Sequence, residues 1–310
     1  KIYIAGHNGM VGSHLITELK INKYTNIITK SHQELDIRDQ NMTLSFINKT
    51  KPEYIFLIAG KVGGIQANMK FPGDYLYDNI MIASNVIEAA RINNVKKLLF
   101  VGSSCMYPKN SVQPMKEEFL LTGAFEPTNE GYAIGKIAGL KLCEYYNKQY
   151  NCNFITAIPP NLYGPKDNNS LLDSHVISAL MQKIYYAKKQ NKNTIKLWGT
   201  GTARREFLLT EDLVKGLIYL MCNYNGKGHI NIGSGTDISI KDLAYIIKDI
   251  IGYPGSFEWD LSKPDGMPQK LLDSSLINKM GWKPKYGIRT GLVKTYKWYI
   301  NNIFKVEKSD

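Results

Sequence analysis

Lys1-Ile2-Tyr3-Ile4-Ala5 runs straight into Gly6-His7-Asn8-Gly9-Met10-Val11-Gly12, and the helix-like stretch 11–20 follows at once. The first five residues read as a buried strand, and the glycines recur as GxxGxxG at the mouth of a helix. Glycines at that spacing permit a tight turn, a close approach of backbone to a pyrophosphate, and close helix–strand packing. The helix start adds N–H donors and a partial positive charge. The loop therefore reads as a dinucleotide site in which Gly6, Asn8, Gly9, Met10, Val11 and Gly12 face the cofactor.

Outward from that loop, short apolar runs alternate with amphipathic stretches. Residues 1–5, 26–29, 54–59, 97–101 and 154–158 read as strands; 11–20, 42–48, 77–93 and 132–150 read as helices. This alternation predicts an α/β fold, a doubly wound parallel (Rossmann) sheet covered on both faces. Ligands of such sheets lie beyond the carboxyl ends of the strands. After Tyr163-Gly164-Pro165 the regularity breaks. A polar loop at 166–174, a helix at 175–189, a strand near 195–198, a strand at 229–232, a helix at 240–250 and a Pro/Gly-rich stretch at 263–268 follow. They read as a smaller C-terminal substrate lobe. The expected division is residues 1–165, with about 206–235 returning, for the dinucleotide-binding domain, and 166–205 with 236–310 for the lobe.

Composition is that of a globular chain: 310 residues, 44% hydrophobic. No run approaches the roughly 18 apolar residues needed to cross a bilayer. Opening on a strand-like run, the chain is expected to carry no leader and to be cytoplasmic. Its four cysteines, Cys105, Cys143, Cys152 and Cys222, form neither a CxxC pair nor a metal-spaced cluster, so no metal is expected. The formal charge is +12, from 39 Lys+Arg against 27 Asp+Glu. That balance suits a polyanionic ligand, but the lysines are scattered. No basic helix or aromatic-studded sheet supports a nucleic-acid binder.

The second strand is followed by Lys30, Ser31 and His32, with no acid until Glu34. A carboxylate there would serve the ribose 2′-hydroxyl of NAD and repel a 2′-phosphate. Lys30, His32, Asn8 and Ser31 instead point to NADP(H).

Tyr132-Ala133-Ile134-Gly135-Lys136 places a phenol and an ammonium at i and i+4, on one helix face. A phenol of pKa about 10 is a poor acid–base group at neutrality. A nearby ammonium, together with an oxidised nicotinamide, is expected to lower that value. Ser103 follows the strand 97–101 and is placed to donate to a carbonyl oxygen. Ser103, Tyr132 and Lys136 together predict carbonyl reduction: Tyr132 delivers a proton to the oxygen, Ser103 orients it, and Lys136 holds the cofactor ribose.

The segments AGHNGMVGS, KVGGIQAN, KLLFVGSSCMYP, EPTNEGYAIGKIAG, NLYGP, SHVI, WGTGTARREFL and KPDGMPQKLLD span nearly the whole chain. Through them the sequence resembles the extended short-chain dehydrogenase/reductases, and within these the GDP-L-fucose synthase family of 3,5-epimerase/4-reductases. The resemblance implies a GDP-sugar substrate and a homodimer, with neither nucleic acid nor membrane as partner. It implies that Cys105 and His175 are the acid–base pair for epimerisation at C3 and C5, where a C4 ketone acidifies both neighbouring C–H bonds. It further implies cofactor contacts from Asp36, Ile37, Ala59, Pro159, Asn161, Leu162 and His175, and substrate contacts from Lys183, Trp198, Arg205, Asp265 and Lys270. Lys183, Arg205 and Lys270 would neutralise diphosphate charge, and Trp198 would offer an apolar face.

The chain departs from the family pattern at Asn8 and His32, where arginines are usual. Gly131 stands for a proline, Pro160 stands where threonine is common, and the loop 167–173 also differs. These changes leave two substrate readings open. One is a bifunctional enzyme of the GDP-L-fucose type. The other is a reductase only, acting on a GDP-4-keto-6-deoxy sugar or a GDP-4-keto-heptose after a separate epimerase. A non-catalytic cofactor sensor on the same fold would have lost Ser103, Tyr132 and Lys136, and all three are present.

Overall fold

The computed structural model describes residues 1–167, 175–226, 228–263 and 265–304. The first half follows the expected alternation: β1 (Ile2–Ala5), α1 (Met10–Ile21), β2 (Ile27–Ile28), α2 (Gln40–Thr50), β3 (Tyr54–Leu57), α3 (Ile65–Lys70), α4 (Pro72–Ile92), β4 (Lys97–Val101), α5 (Glu130–Tyr150) and β5 (Phe154–Ile158). Then come β6 (Asn161–Tyr163), α6 (Val176–Lys189), β7 (Thr194–Trp198), β8 (Arg204–Leu209), α7 (Thr210–Asn223) and β9 (His229–Asn231). The chain closes with β10 (Asp237–Ser239), α8 (Ile240–Ile251), β11 (Ser256–Asp260), β12 (Gln269–Lys270), α9 (Ser275–Lys279) and α10 (Ile288–Tyr299).

A six-stranded sheet runs β2-β1-β3-β4-β5-β9, every pairing parallel. Its side chains alternate between two cores, as the two-residue period of a strand requires. Ile2 and Ile4 pack with α1 and with Leu213, Leu217 and Leu220 of α7 on one face. Tyr3 and Ala5 pack with Val86, Ile87 and Ala90 of α4 on the other. The order of strands reverses between β1 and β3, and a crevice for a ligand opens at such a switch point.

The second strand shrinks from the expected 26–29 to two residues, because it pairs only with β1 through Ile2↔Ile27 and Tyr3↔Ile28. Helix α2 starts earlier than its apolar pattern, because the Asp39 carboxylate caps it by accepting from Met42 N–H at 2.8 Å. Helix α4 likewise begins five residues before the expected 77, on Pro72, whose fixed φ suits a first helical position. Of the expected polar loop, residues 168–174 lie outside the described residues.

A separate core joins α6, α8 and α10 to β7, β8 and β11. Strand β8 serves both cores: Leu208 packs with the six-stranded sheet, while Phe207 and Leu209 face the other cluster. It pairs parallel with β6 and β12 and antiparallel with β10, so residues 204–209 lie outside the six-stranded sheet, which β9 joins. Strand β11 escaped the sequence reading although Ser256-Phe257-Glu258-Trp259-Asp260 alternates strictly.

Lys97, buried within β4, donates to the carbonyls of Leu220 (3.0 Å), Met221 (2.7 Å) and Tyr224 (2.6 Å). It thus caps the end of α7, where helical carbonyls lack intrahelical partners. Lys97→Met is expected to lower unfolding free energy by about 2–3 kcal/mol, the worth of charged hydrogen bonds left unmade. Denaturant unfolding measures it; a loss near zero would refute the cap.

Candidate active site

Gly6 takes φ +94°, a conformation that favours glycine, and a Cβ there would lie 2.7 Å from the backbone nitrogen of Ala59. A Cβ on Gly12 would lie 2.2 Å from the Gly6 carbonyl oxygen. The loop is therefore packed onto the end of β3 with no room for a side chain at Gly6 or Gly12. Helix α1 opens at Gly9 with no side-chain cap and no acid in its first turn. This start, at the switch point between β1 and β3, is chemically fit for a pyrophosphate. Ala59 lies against the glycine loop.

At the second strand the predicted cations are engaged within the chain. The Lys30 ammonium donates to Glu34 at 2.8 Å, and Glu34 also accepts from the N–H and hydroxyl of Ser31. His32 is exposed, its Nδ1 3.8 Å from Asp36. The Asp36 carboxylate is gripped by Arg38, whose hydrogen bonds hold it at about 2. Arg38 continues to Asp78 at 3.0 Å, and Asp78 accepts from Lys61 at 2.9 Å, so an ion chain links residues 36–38 to the loop after β3. The Ile37 carbonyl accepts from Asn85.

The chemical cluster forms where β4 ends. A 3-10 turn at Ser104–Met106 begins at Ser103, whose Oγ accepts from Cys105 N–H at 3.2 Å. Helix α5 brings Tyr132 to the same place, near enough to Ser103 for its hydroxyl to act on the phenol. One turn on, the buried Lys136 ammonium donates to the Val101 carbonyl at 3.0 Å and lies 4.9 Å from the Phe100 ring centroid. Burial lowers this ammonium to about 8. The phenol moves against the sequence expectation. Burial, then the charge of Cys105, push Tyr132 above its ordinary value, with the Ser103 hydrogen bond opposing. The expected lowering combined Lys136 with an oxidised nicotinamide; the chain's own groups favour the neutral, proton-bearing phenol.

Cys105 Sγ accepts from the Lys270 ammonium at 3.2 Å and from the Asn129 amide at 3.3 Å. Burial pushes this thiol up, but the Lys270 charge and hydrogen bonds from Ser103, Lys270 and Asn129 outweigh it and hold it below its ordinary value. The amide oxygen of Asn129 is buried, with no partner among the described residues.

His175 belongs to a second group at the start of α6. Its Nδ1 lies 3.0 Å from Asp167 Oδ1, and the other Asp167 oxygen accepts from the Ser178 hydroxyl. The hydrogen bond to Asp167 raises the imidazole above its ordinary value against the pull of burial.

The predicted substrate residues sit in the second lobe and its edge. Lys183 donates to the Lys196 carbonyl at 2.5 Å. Trp198 is 57% exposed, with the Lys263 ammonium 5.6 Å from its ring centroid. Asp265 receives the N–H and hydroxyl of Thr200, both at 2.7 Å, and so pins the turn after Trp198. Arg205 donates to the carbonyls of Arg204 (2.8 Å) and Met267 (2.5 Å). Pro159 closes β5 with its carbonyl accepting from Ser104 N–H at 3.0 Å. Asn161 and Leu162 lie in β6, half-buried.

Asn129, Asp167 and Ser178 were missed by the sequence reading. Asn129 lies three residues before Tyr132 inside a quoted motif, so a signal was present. Asp167 was read as part of a polar link; only the fold brings it against His175.

A family model described as the NAD dependent epimerase/dehydratase family matches residues 2–233. Probable GDP-L-fucose synthase 1 of Oryza sativa subsp. japonica is 47% identical, covering 99% of this chain and 94% of that protein. A GDP-6-OMe-4-keto-L-xylo-heptose reductase from C. jejuni superposes with TM-score 0.92 at 38% identity, covering 97% of both chains. A GDP-mannoheptose C4 reductase from Campylobacter jejuni with NADP bound gives TM-score 0.90 at 40% identity, over 96% of this chain and 98% of that one.

Proposed function

The chain belongs to the NAD dependent epimerase/dehydratase family, and on that footing we propose that it is an NADPH-dependent 4-keto reductase of a GDP-bound sugar that also epimerises C3 and C5, as in GDP-L-fucose synthase. The observation that carries this is the single cluster of Ser103, Cys105 and Tyr132, with Lys136 one turn behind. NADPH, when bound, supplies the hydride. Tyr132, kept protonated by its burial, gives its proton to the carbonyl oxygen that Ser103 orients. Lys136 is placed to hold the cofactor ribose. The first turn of α1 and the cradle of Gly6, Gly9 and Gly12 suit the pyrophosphate, and Lys30 and the His32 ring follow the second strand as candidates for a 2′-phosphate. Cys105 and His175 exchange the protons of C3 and C5.

The lobe formed by 166–205 and 236–310 carries the nucleotide-sugar contacts in this reading. A homodimer belongs to this reading, with Tyr77 on α4 and Tyr145 on α5, 62% and 60% exposed, available for contact. No helix among the described residues is long and apolar enough to cross a membrane. With a nucleotide sugar and NADPH as substrates, we infer a cytoplasmic reaction.

The test is NADPH consumption with enzymatically generated GDP-4-keto-6-deoxy-mannose in deuterated water, the product read by NMR. Deuterium at C3 and C5 and an L-fucose product are expected. Reduction without deuterium, or turnover only on a GDP-4-keto-heptose, would replace this reading with the reductase-only one, favoured by the likeness to the two heptose reductases.

Asp167→Asn should move the alkaline limb of C3/C5 exchange to lower pH. His175 is raised by Asp167, so it stays protonated to higher pH in the native chain and loses that proton earlier without the carboxylate. Exchange near neutrality should fall roughly ten- to a hundredfold; an unmoved limb would remove His175 as the acid.

A further inference from the structure

Lys270 comes to the site from the last strand, β12, 165 residues beyond the cysteine it meets. In the register of β12 against β8 it stands beside Arg205. The two cations are used differently. Arg205 spends its guanidinium on the carbonyls of Arg204, Met267 and, at 3.4 Å, Asp265. Among the described residues Lys270 forms no ion pair with a carboxylate, and its hydrogen bond runs to Cys105 Sγ.

A neutral thiol is a weak acceptor, so two nitrogen donors converging on one sulfur, an ammonium and the Asn129 amide, form a setting for sulfur that bears charge. The other groups facing the sulfur are Tyr132 from α5 and the Arg205 charge from β8, with Ser103 at the head of its own turn. Among the described residues no carboxylate contacts the sulfur.

We propose that Lys270 is a positioning residue for Cys105: its ammonium lies against the sulfur to stabilise the thiolate that removes the proton beside the sugar ketone, instead of gripping the diphosphate. This assignment rests on the epimerase half of the proposed function. In the step, the sugar C–H bond breaks as an S–H bond forms, and its electron pair passes into the ketone to give an enolate. The proton returned on the opposite face comes from protonated His175, whose N–H bond breaks as the enolate re-forms the ketone. Solvent exchange then restores thiolate and imidazolium. Thiolate character is set by neighbouring positive charge, so the arrangement makes the base available at neutral pH.

The test reads the sulfur directly. Alkylation of Cys105 by iodoacetamide is followed against pH in the full-length protein by site-resolved peptide mass spectrometry, which separates it from Cys143, Cys152 and Cys222. In the native chain the rate is expected to reach its plateau well below the titration of a free thiol at about 8.5. Lys270→Met and Lys270→Gln should each shift the profile upward and cut the rate at pH 7 about tenfold or more, while Lys270→Arg restores it. Retained NADPH binding, read by fluorescence, certifies the fold of each variant.

A profile unchanged in Lys270→Met and Lys270→Gln, with KM for the GDP-sugar raised, would overturn the proposal and make Lys270 a diphosphate ligand. A profile shifted as expected supports it. Failure of every GDP-4-keto sugar to turn over would sink the substrate reading, while the alkylation profile still judges Lys270 by itself.

Discussion

Tyr132→Phe is expected to reduce turnover by about a thousandfold or more while leaving NADPH affinity within about twofold, because it deletes the one oxygen that the proposed mechanism uses as the general acid. The phenol is placed by helix α5 against Ser103, and its burial keeps the proton on it. No other O–H donor in the cluster occupies the helical position one turn before Lys136. Stopped-flow NADPH oxidation gives the rate, and fluorescence titration gives the affinity. Turnover within tenfold of native would remove Tyr132 from the proton path. Loss of cofactor binding in parallel would mean that the ring supports the site by packing instead.

Cys105→Ala is expected to abolish deuterium incorporation at C3 and C5, by about a thousandfold or more, because it removes the sulfur that the proposed mechanism uses as the base. Reduction of a ketone already carrying the L configuration should continue within a few fold, since Ser103, Tyr132 and Lys136 are untouched. The split between exchange and reduction is the informative result. Exchange that persists in the variant would show that Cys105 is a contact residue and that epimerisation, if present, uses another base. Loss of both activities together would point to collapse of the turn Ser104–Met106, which the NADPH titration would reveal.

Much of the fold was legible because parallel sheets bury both faces of their strands. Leu98–Val101 is an unbroken apolar run behind Lys97, and Phe154–Ile158 is broken only by Thr156; the structure realises both strands with the expected bounds. The edge strand β2 was less legible. Its length depends on how far a neighbour accompanies it, and a propensity pattern holds no trace of that. The short pairings of β6, β10 and β12 around β8 were invisible for the same reason.

What the sequence determined by itself is local: strand against helix by period, a glycine loop by spacing, and Tyr132 with Lys136 on one helix face. Such features need only the geometry of a few consecutive residues. The tertiary structure alone decided which charge meets which group. Lys270 reaches Cys105 across 165 residues, Asp167 turns to His175 rather than to solvent, and burial raises the Tyr132 phenol, which the motif by itself does not show. The physical reason is common to all three. Electrostatic influence follows distance through space and loss of water, and both are fixed only once distant segments have packed together.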